Sequence, residues 1–524
     1  MADQSLSVFW RNLLASWSTR VVSLGVTFLV TPILVAHLGS QAYGLWAIGL
    51  TLVSYLSLVD GGVNGGLVKV VSVARARDEG DRVSGYLMTA LVFYALLGIL
   101  IVVIVALIRA PLGRLLGVPP DLAAQASWLF LGVAGLLMIN NLTGVIGALF
   151  NGLEAVHLGG ILSLVAVILT ATGQLIVLVP LKGGLESLVA ITLAAAALTL
   201  VGAVIWLRHT YHGLEFSIAG VRWSRFKEIT SLSLGIQVSN VAGVVNATAD
   251  KFVIAGLLGL ISAGLYDLGS RLCVLIWTLS WLVAAAAFPT SARLGVTSPE
   301  LFQAFYRRAE RYLLITALGL GGLLFVLAPW LVPAWLGPGY EQVVLVTRLL
   351  AVAGVGLNLT NVASVALWSR GRTREVTFFS CWRLGMHLAL SLLLTWRYGL
   401  LGTLAGAVAG LVIPSTWLML WAHRHFEVRT PVWLKEDALA PFVSMLGAGG
   451  LTYAVLRLAA PILGAESGRV LAWAAVLLGA GLFGSSYVIS LVLLRGFDDQ
   501  ELTAARLRLG RVWSYAPSLV HNIH

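Results

Sequence analysis

Apolar runs of roughly 20 residues recur along nearly the whole chain, and this constrains the fold more than any motif does. Fourteen are legible, at approximately 13–36, 44–68, 85–108, 126–150, 157–179, 185–207, 230–257, 263–288, 312–328, 342–368, 376–396, 400–422, 441–462 and 470–494. A helix rises 1.5 Å per residue, so a run of that length crosses a hydrocarbon core about 30 Å thick. Backbone groups left unpaired in lipid are not tolerated, which leaves helices or a closed barrel, and barrel strands would show alternation over about ten residues instead. With 59% hydrophobic and 11% charged residues, the chain has too little polar surface to cover a water-soluble fold. An all-α polytopic membrane protein is expected.

The chain is also written twice. HLGSQAYGLW (37–46) recurs as LLGLISAGLY (257–266), aligning Gly39 with Gly259, Gly44 with Gly264 and Trp46 with Tyr266 at an offset of 220 residues. Leu116-Gly117 recurs as Leu336-Gly337, and Asn140 as Asn358 near the repeated ALF (148–150) and ALW (366–368). Self-similarity at a long fixed period signals two copies of one structural unit, and in membrane proteins such copies mark transporters. Six spans per copy is an even number, so the copies share orientation and are expected as two six-helix lobes related by a pseudo-twofold along the membrane normal, with two further helices added. The expected organisation is an N-lobe over 1–218, a C-lobe over 219–438, spans 13 and 14 over 439–496, and an amphipathic cytoplasmic tail over 497–524. The 56 glycines, many within spans, suit close helix approach in lipid.

The formal charge of +11 does not form a nucleic-acid-binding face, because the basic residues punctuate the spans instead of clustering. Arg75, Arg77, Arg222, Arg225, Lys227, Arg307, Arg308, Arg370, Arg372 and Arg374 all fall in segments on one side. By the positive-inside rule this side is the cytoplasm, and both termini lie there. The N-terminus lacks the pattern of a cleaved signal, so the first span is expected to stay attached. Cys273 and Cys381 offer no disulfide or metal spacing, and neither metal nor cofactor is expected.

Charges inside spans are expensive unless paired or wetted, which makes each a functional candidate. The bases are Arg20, Lys251, Arg271, Arg348 and Arg383, and the acids are Asp60, Asp250 and Asp267. Counting from the turn between spans seven and eight places Lys251 and Arg271 ~12 Å below the outer surface, level with Asp250 and Asp267. Asp267 precedes Arg271 by one helical turn, the spacing of an intrahelical pair. Arg20 and Asp60 each lie ~25 Å below the outer turn at 37–43, level with each other near the cytoplasmic side and placed for an interhelical ion pair. Five bases against three acids leave the interior positive and favour an anionic substrate, for which phosphate on arginine is well suited. Arg383, about two turns into span eleven, is a further cavity candidate, whereas Arg348 is expected to snorkel outward. Asn140 and Asn358 are placed either to hydrogen-bond sugars or to join helices.

Pro32, Leu38-Gly39, Tyr43-Gly44, Trp46, Tyr55, Asp60-Gly61 and Lys69, with Asp250, Gly259, Gly264 and Tyr266, resemble the polysaccharide-exporter (Wzx-like flippase) branch of the multidrug/oligosaccharidyl-lipid/polysaccharide flippase superfamily. The resemblance covers the whole chain. It implies two six-helix lobes around a cationic cavity, and a substrate of sugars on a polyprenyl diphosphate turned from the inner to the outer leaflet by alternating access. It also implies that Arg20 and Arg271 engage the diphosphate, that Lys69 is a cytoplasmic-side candidate, and that 441–462 and 470–494 form a groove for the lipid tail.

The expected function is therefore a flippase for a lipid-linked oligosaccharide in polysaccharide export, not an enzyme. It would act as a monomer in the cytoplasmic (inner) membrane, with the lipid-linked glycan, the bilayer and glycan-assembly proteins as partners, and no nucleic acid. The alternatives are a cation-coupled multidrug exporter of the same superfamily, for which an aspartate would carry the coupling ion, and a membrane glycan polymerase or ligase. The longest outward loop, about 109–125, lacks the acids and histidines such an enzyme needs. Reporters fused after Arg77, Arg225, Arg372 and Arg508 should all report the cytoplasm, and a periplasmic signal from any one would break the fourteen-span topology.

Overall fold

The computed structural model describes residues 2–497, apart from 61, 212–213, 215–216, 232–233 and 464–467. The side chains of 2–18, 59–60, 219, 231–240, 289, 296 and 462–463 also lie outside the description. The described residues are helical, with no strand among them. In chain order the helices are α1 (Ala2–Leu56), α2 (Val63–Ala76), α3 (Gly80–Leu115), α4 (Ala123–Gly152), α5 (Val156–Leu178), α6 (Leu185–Thr210), α7 (Trp223–Ser231) and α8 (Leu234–Leu258). There follow α9 (Leu260–Thr297), α10 (Pro299–Leu336), α11 (Glu341–Asn358), α12 (Asn361–Ser369), α13 (Thr373–His425), α14 (Thr430–Trp433), α15 (Leu439–Leu463) and α16 (Arg469–Leu493). The expected amphipathic tail, 497–524, lies outside the described residues beyond Phe497.

Among the described residues twelve helices are long and apolar enough to cross a membrane, against the fourteen runs of the sequence. The difference arises where neighbouring runs join. α1 and α13 are each two helices meeting at a kink, at Gly39 (φ 76°) and Gly399 (φ 60°), backbone conformations that a side chain would strain. α2 is separated from α1 by a short 3-10 turn at Ser57–Asp60 and by Gly62 (φ 76°). α10 begins as its sequence dictates: the Ser298 hydroxyl accepts from the Leu301 amide, Pro299 occupies the first turn, and Gly337 (φ 95°) closes the other end.

The duplication is visible in the backbone. Gly39 and Gly259 both have positive φ (76° and 85°), and so do Gly117 and Gly337 (63° and 95°). Each matched pair ends a helix at the same place in its repeat.

Two compact units result. The first comprises 1–271 with 380–406, and the second 272–379 with 407–524. In the first unit α4 is central, packed against α3, α6, α2 and α1, while α5 lies along α1 and α6. Leu96, Ile99, Leu100, Val103, Ile104 and Leu107 form an exposed apolar face of α3, whereas Tyr94, Gly98, Ile101 and Val105 face inward. This is the pattern of a helix whose outer solvent is lipid. A Cβ at Gly98 would strike Met138, and one at Gly132 would strike Val189. Such glycines let helices approach closely.

One close approach joins the two repeats. Gly44 on α1 and its counterpart Gly264 on α9 pack backbone to backbone, and a Cβ on Gly264 would lie 3.1 Å from the Gly44 Cα. A Cβ on Gly44 would collide with the Leu260 carbonyl. Equivalent residues that touch each other lie on the axis relating their segments.

In the second unit α10 packs against α11, α15 and α16. The core includes Leu327, Trp330, Leu456 and Val476 at one level and Phe483 and Tyr487 at another. Gly44→Ala should lower stability in detergent by about 1–3 kcal/mol through overpacking. Gly25→Ala, whose Cβ meets nothing within 4 Å, should leave the melting temperature unchanged or slightly raised.

Candidate functional site

The site is organised around a carboxylate in the first unit. Asp267, on α9, accepts three hydrogen bonds: from Lys251 Nζ on α8 (2.6 Å), from Arg271 Nε one turn along its own helix (2.7 Å), and from the Tyr43 hydroxyl on α1 (2.7 Å). Side-chain exposures are 5% for Asp267, 13% for Lys251 and 20% for Arg271, so all three charges are largely withdrawn from solvent. One carboxylate shared by two cations leaves this cluster one positive charge in excess. Arg271 also donates from Nη1 to the Thr31 hydroxyl (3.2 Å) and lies 5.9 Å from the centre of the Tyr43 ring. Its stem is thereby anchored on α9, and its guanidinium is presented across α1.

That guanidinium lines a cavity of about 350 Å³. Most of its wall comes from α1, α4, α5 and α6, and the polar lining is neutral: Thr27, Asn140, Thr143, Thr170, Gln174 and Thr199 are among the groups facing it. Leu34, Trp46 and Leu50 supply an apolar side. A single charged group amid hydroxyls and carboxamides can hold an anionic oxygen cluster and leave the rest of a ligand on hydrogen bonds.

Below this cavity α1 carries a hydroxyl stripe. Thr19, Ser23, Thr27 and Thr31 recur every four residues and therefore share one face. Ser23, Thr27 and Thr31 donate to the carbonyl four residues earlier, at 2.6–2.8 Å, and Thr19 donates to the Gly160 carbonyl on α5 (3.3 Å).

Asp250 is placed differently. It is 3% exposed and enclosed by the Tyr266 hydroxyl (2.5 Å), the Ser391 hydroxyl (2.6 Å) and His387 Nε2 (3.1 Å), while His387 Nδ1 faces Asn246 Oδ1 (3.2 Å). This knot ties α8, α9 and α13 together. Of the two groups, only that of Asp267 presents a charge to the cavity, through Arg271.

The remaining candidates scatter. Asn140 lines the cavity with Arg271. Asn358, its repeat counterpart, is buried at the break between α11 and α12; it donates to the Gly354 carbonyl (2.8 Å) and accepts from Asn361 (2.7 Å). Repetition of sequence did not carry repetition of role. Arg383 is half-buried on α13 and outside the cavity lining, Arg20 is exposed beside Thr19, and Lys69 is exposed on α2. The Asp60 side chain lies outside the described residues, and with it the expected Arg20–Asp60 pair. Arg348 donates to the Phe325 carbonyl (2.9 Å) and lies over the Phe325 ring. Cys273 is buried, whereas Cys381 is exposed.

Several functional-looking groups escaped the sequence reading. His387 carries no signal in a count of acids, lysines and arginines within spans. Counting histidine would also have found His423, buried in the second unit against Glu310 (2.8 Å), which itself accepts from the Tyr306 hydroxyl (2.6 Å). The hydroxyl stripe was legible as a four-residue repeat. Tyr43 carries no such signal, since only the tertiary fold brings it to Asp267.

Residues 9–295 match the family model described as polysaccharide biosynthesis protein, over more than half the chain. The chain belongs to this family. At 21% identity over 437 residues it is similar to the uncharacterized membrane protein EpsK of Bacillus subtilis (strain 168), covering 82% of this chain and 85% of that one. It is also 21% identical over 378 residues to the putative O-antigen transporter of Shigella flexneri, covering 70% and 86%. Its fold is similar to that of the lipid II flippase MurJ in an inward closed conformation, with a TM-score of 0.69, 13% identity and coverage of 92% and 99%. With twelve described helices long and apolar enough to cross a membrane, this family member is a multi-pass membrane protein.

Removing the shared carboxylate should leave two like charges in a layer of low dielectric. Asp267→Asn is expected to lower stability by about 3–5 kcal/mol, and Tyr43→Phe by about 1.5–3 kcal/mol, for one hydrogen bond to a charged acceptor. Thermal unfolding in detergent would rank the two, and equal melting temperatures for wild type and Asp267→Asn would refute the central role of the carboxylate.

Proposed function

We propose that the protein turns a polyprenyl-diphosphate-linked oligosaccharide from the inner to the outer leaflet of the cytoplasmic membrane by alternating access, with both termini in the cytoplasm. The observation that carries this reading is Arg271, held by Asp267 and turned into a cavity whose other polar groups are uncharged. A guanidinium offers a planar fork to phosphate oxygens, and the low surrounding polarity strengthens the contact. An excess of one positive charge in the cluster suits an anion and opposes an organic cation.

The tail of such a substrate needs an apolar path. In the second unit a cavity of about 700 Å³ runs between α10, α11 and α15, lined by Phe325, Val352, Phe442, Met445 and Leu446 among others, with Arg348 the only charged group among the described lining residues. The resemblance expected both terminal helices to form a tail groove, but the lining here comes from α15 and none from α16. α16 instead packs behind it against α10 and α15. Family membership and the similarity to an O-antigen transporter support the glycan assignment.

Arg271→Gln should abolish glycan export in a strain complemented with this chain, while protein abundance in the membrane is kept. Arg271→Lys should retain part of the activity, because the charge stays and the bidentate geometry is lost. Full export by Arg271→Gln would overturn the diphosphate assignment.

A further inference from the structure

A second polar cavity, of about 540 Å³, lies in the first unit further along the same helices. α1 contributes Thr19 to it, eight residues or ~12 Å before Thr27 of the Arg271 cavity. α4 contributes Gly144, Gly147 and Asn151, just past Asn140 and Thr143, and α5 contributes Gly160 and Ser163, just before Ala166 and Thr170. The two cavities are therefore stacked on the α1, α4 and α5 faces, with the hydroxyl stripe of α1 running from one to the other.

Among the described residues the lower lining contains no Lys, Arg, His, Asp or Glu, and no side chain larger than Val or Asn. An anion finds no counter-charge there, and a lipid tail would meet asparagine and hydroxyl groups. Asn64 Oδ1 is fully buried and lacks a hydrogen-bond partner among the described residues, so a donor is missing from its surroundings. An unsatisfied buried acceptor is costly, and a ligand hydroxyl would relieve it.

The glycines supply the second observation. A Cβ at Gly65 on α2 or Gly147 on α4 would meet nothing within 4 Å, unlike one at Gly44, Gly98 or Gly132, which would strike a neighbouring helix. Packing does not require glycine at either position, and within a helix glycine is less favourable than alanine. Both line this cavity, and their missing side chains keep it open.

We infer that this cavity is a saccharide subsite, which receives the uncharged sugar residues of the substrate while Arg271 holds the diphosphate. Its carboxamides and hydroxyls match sugar hydroxyls as donors and acceptors, and the glycine floor admits the flat C–H face of a pyranose ring. The inference rests on the diphosphate reading and adds the location of sugar recognition to it.

Binding of short soluble probes to the full chain in detergent, followed by native mass spectrometry, tests it. The probes are farnesyl diphosphate and the same lipid carrying glucose, galactose or N-acetylglucosamine. Wild type should bind at least one sugar-bearing probe about tenfold more tightly than farnesyl diphosphate, the equivalent of one or two hydrogen bonds. Gly147→Leu, whose Cβ meets nothing within 4 Å, and Asn64→Ala should erase that preference and leave farnesyl diphosphate binding unchanged. A preference that survives Gly147→Leu, or a loss that is equal for all probes, would overturn the subsite. Wild-type binding of farnesyl diphosphate without any sugar preference would overturn it too, yet leave the diphosphate reading standing. Failure of every probe to bind wild type would remove both.

Discussion

The first unit depends on one carboxylate placed between two cations. Asp267 is inserted where neither Lys251 nor Arg271 is fully solvated, and its three hydrogen bonds join α1, α8 and α9 through side chains that come from both sequence repeats. Without it, the two bases would repel each other across a few ångströms of low dielectric, and burial of either would be prohibitive. With it, Lys251 is absorbed into the structure and Arg271 is aimed. The same bond that stabilises the helix contact thus gives the cavity its charged group, and stability and binding cannot be altered independently at this residue.

Around that centre the polar groups divide by use. Asp250, Tyr266, His387 and Ser391 satisfy one another, which braces α8, α9 and α13 and leaves little free for a ligand. Thr27, Thr31, Asn140 and Gln174 line the cavity beside Arg271. The glycines divide in the same way. Gly44 and Gly264 bring backbones into contact where the repeats meet, whereas Gly65 and Gly147 face empty space and shape a cavity. Residues of one type, equally frequent in spans, serve close approach in one place and openness in another.

The two units also differ in chemistry. The cavities of the first are walled by hydroxyls and carboxamides with one guanidinium, and that of the second by phenylalanine, valine and leucine. In the second unit the ion pairs lie apart from the apolar cavity lining: Glu310 pairs with His423 in the interior, and the partly exposed Arg307 bridges the exposed Glu436 and the buried Asp437. Those pairs fasten α10 to the end of α13 and to the segment leading into α15, which lines the apolar cavity.

The sequence by itself determined the membrane class, the helical architecture, the duplication and the spacing of the charges along each helix. Apolar run length, the 220-residue offset and 1.5 Å per residue are properties of the chain read along its own axis. They sufficed for the Asp267–Arg271 pair and for the shared level of Lys251. Only the tertiary structure decided which way each side chain turns and what stands opposite: Tyr43 lies 224 residues from Asp267, Thr31 lies 240 from Arg271, and His387 lies 137 from Asp250. Depth along a helix follows from counting, but the partner across a helix interface depends on rotation and packing among several helices. For that reason Asn140 and Asn358, equivalent in sequence, separate into a cavity wall and a helix break, and Asp250 and Asp267, equal in depth, separate into a buried brace and the anchor of the candidate site.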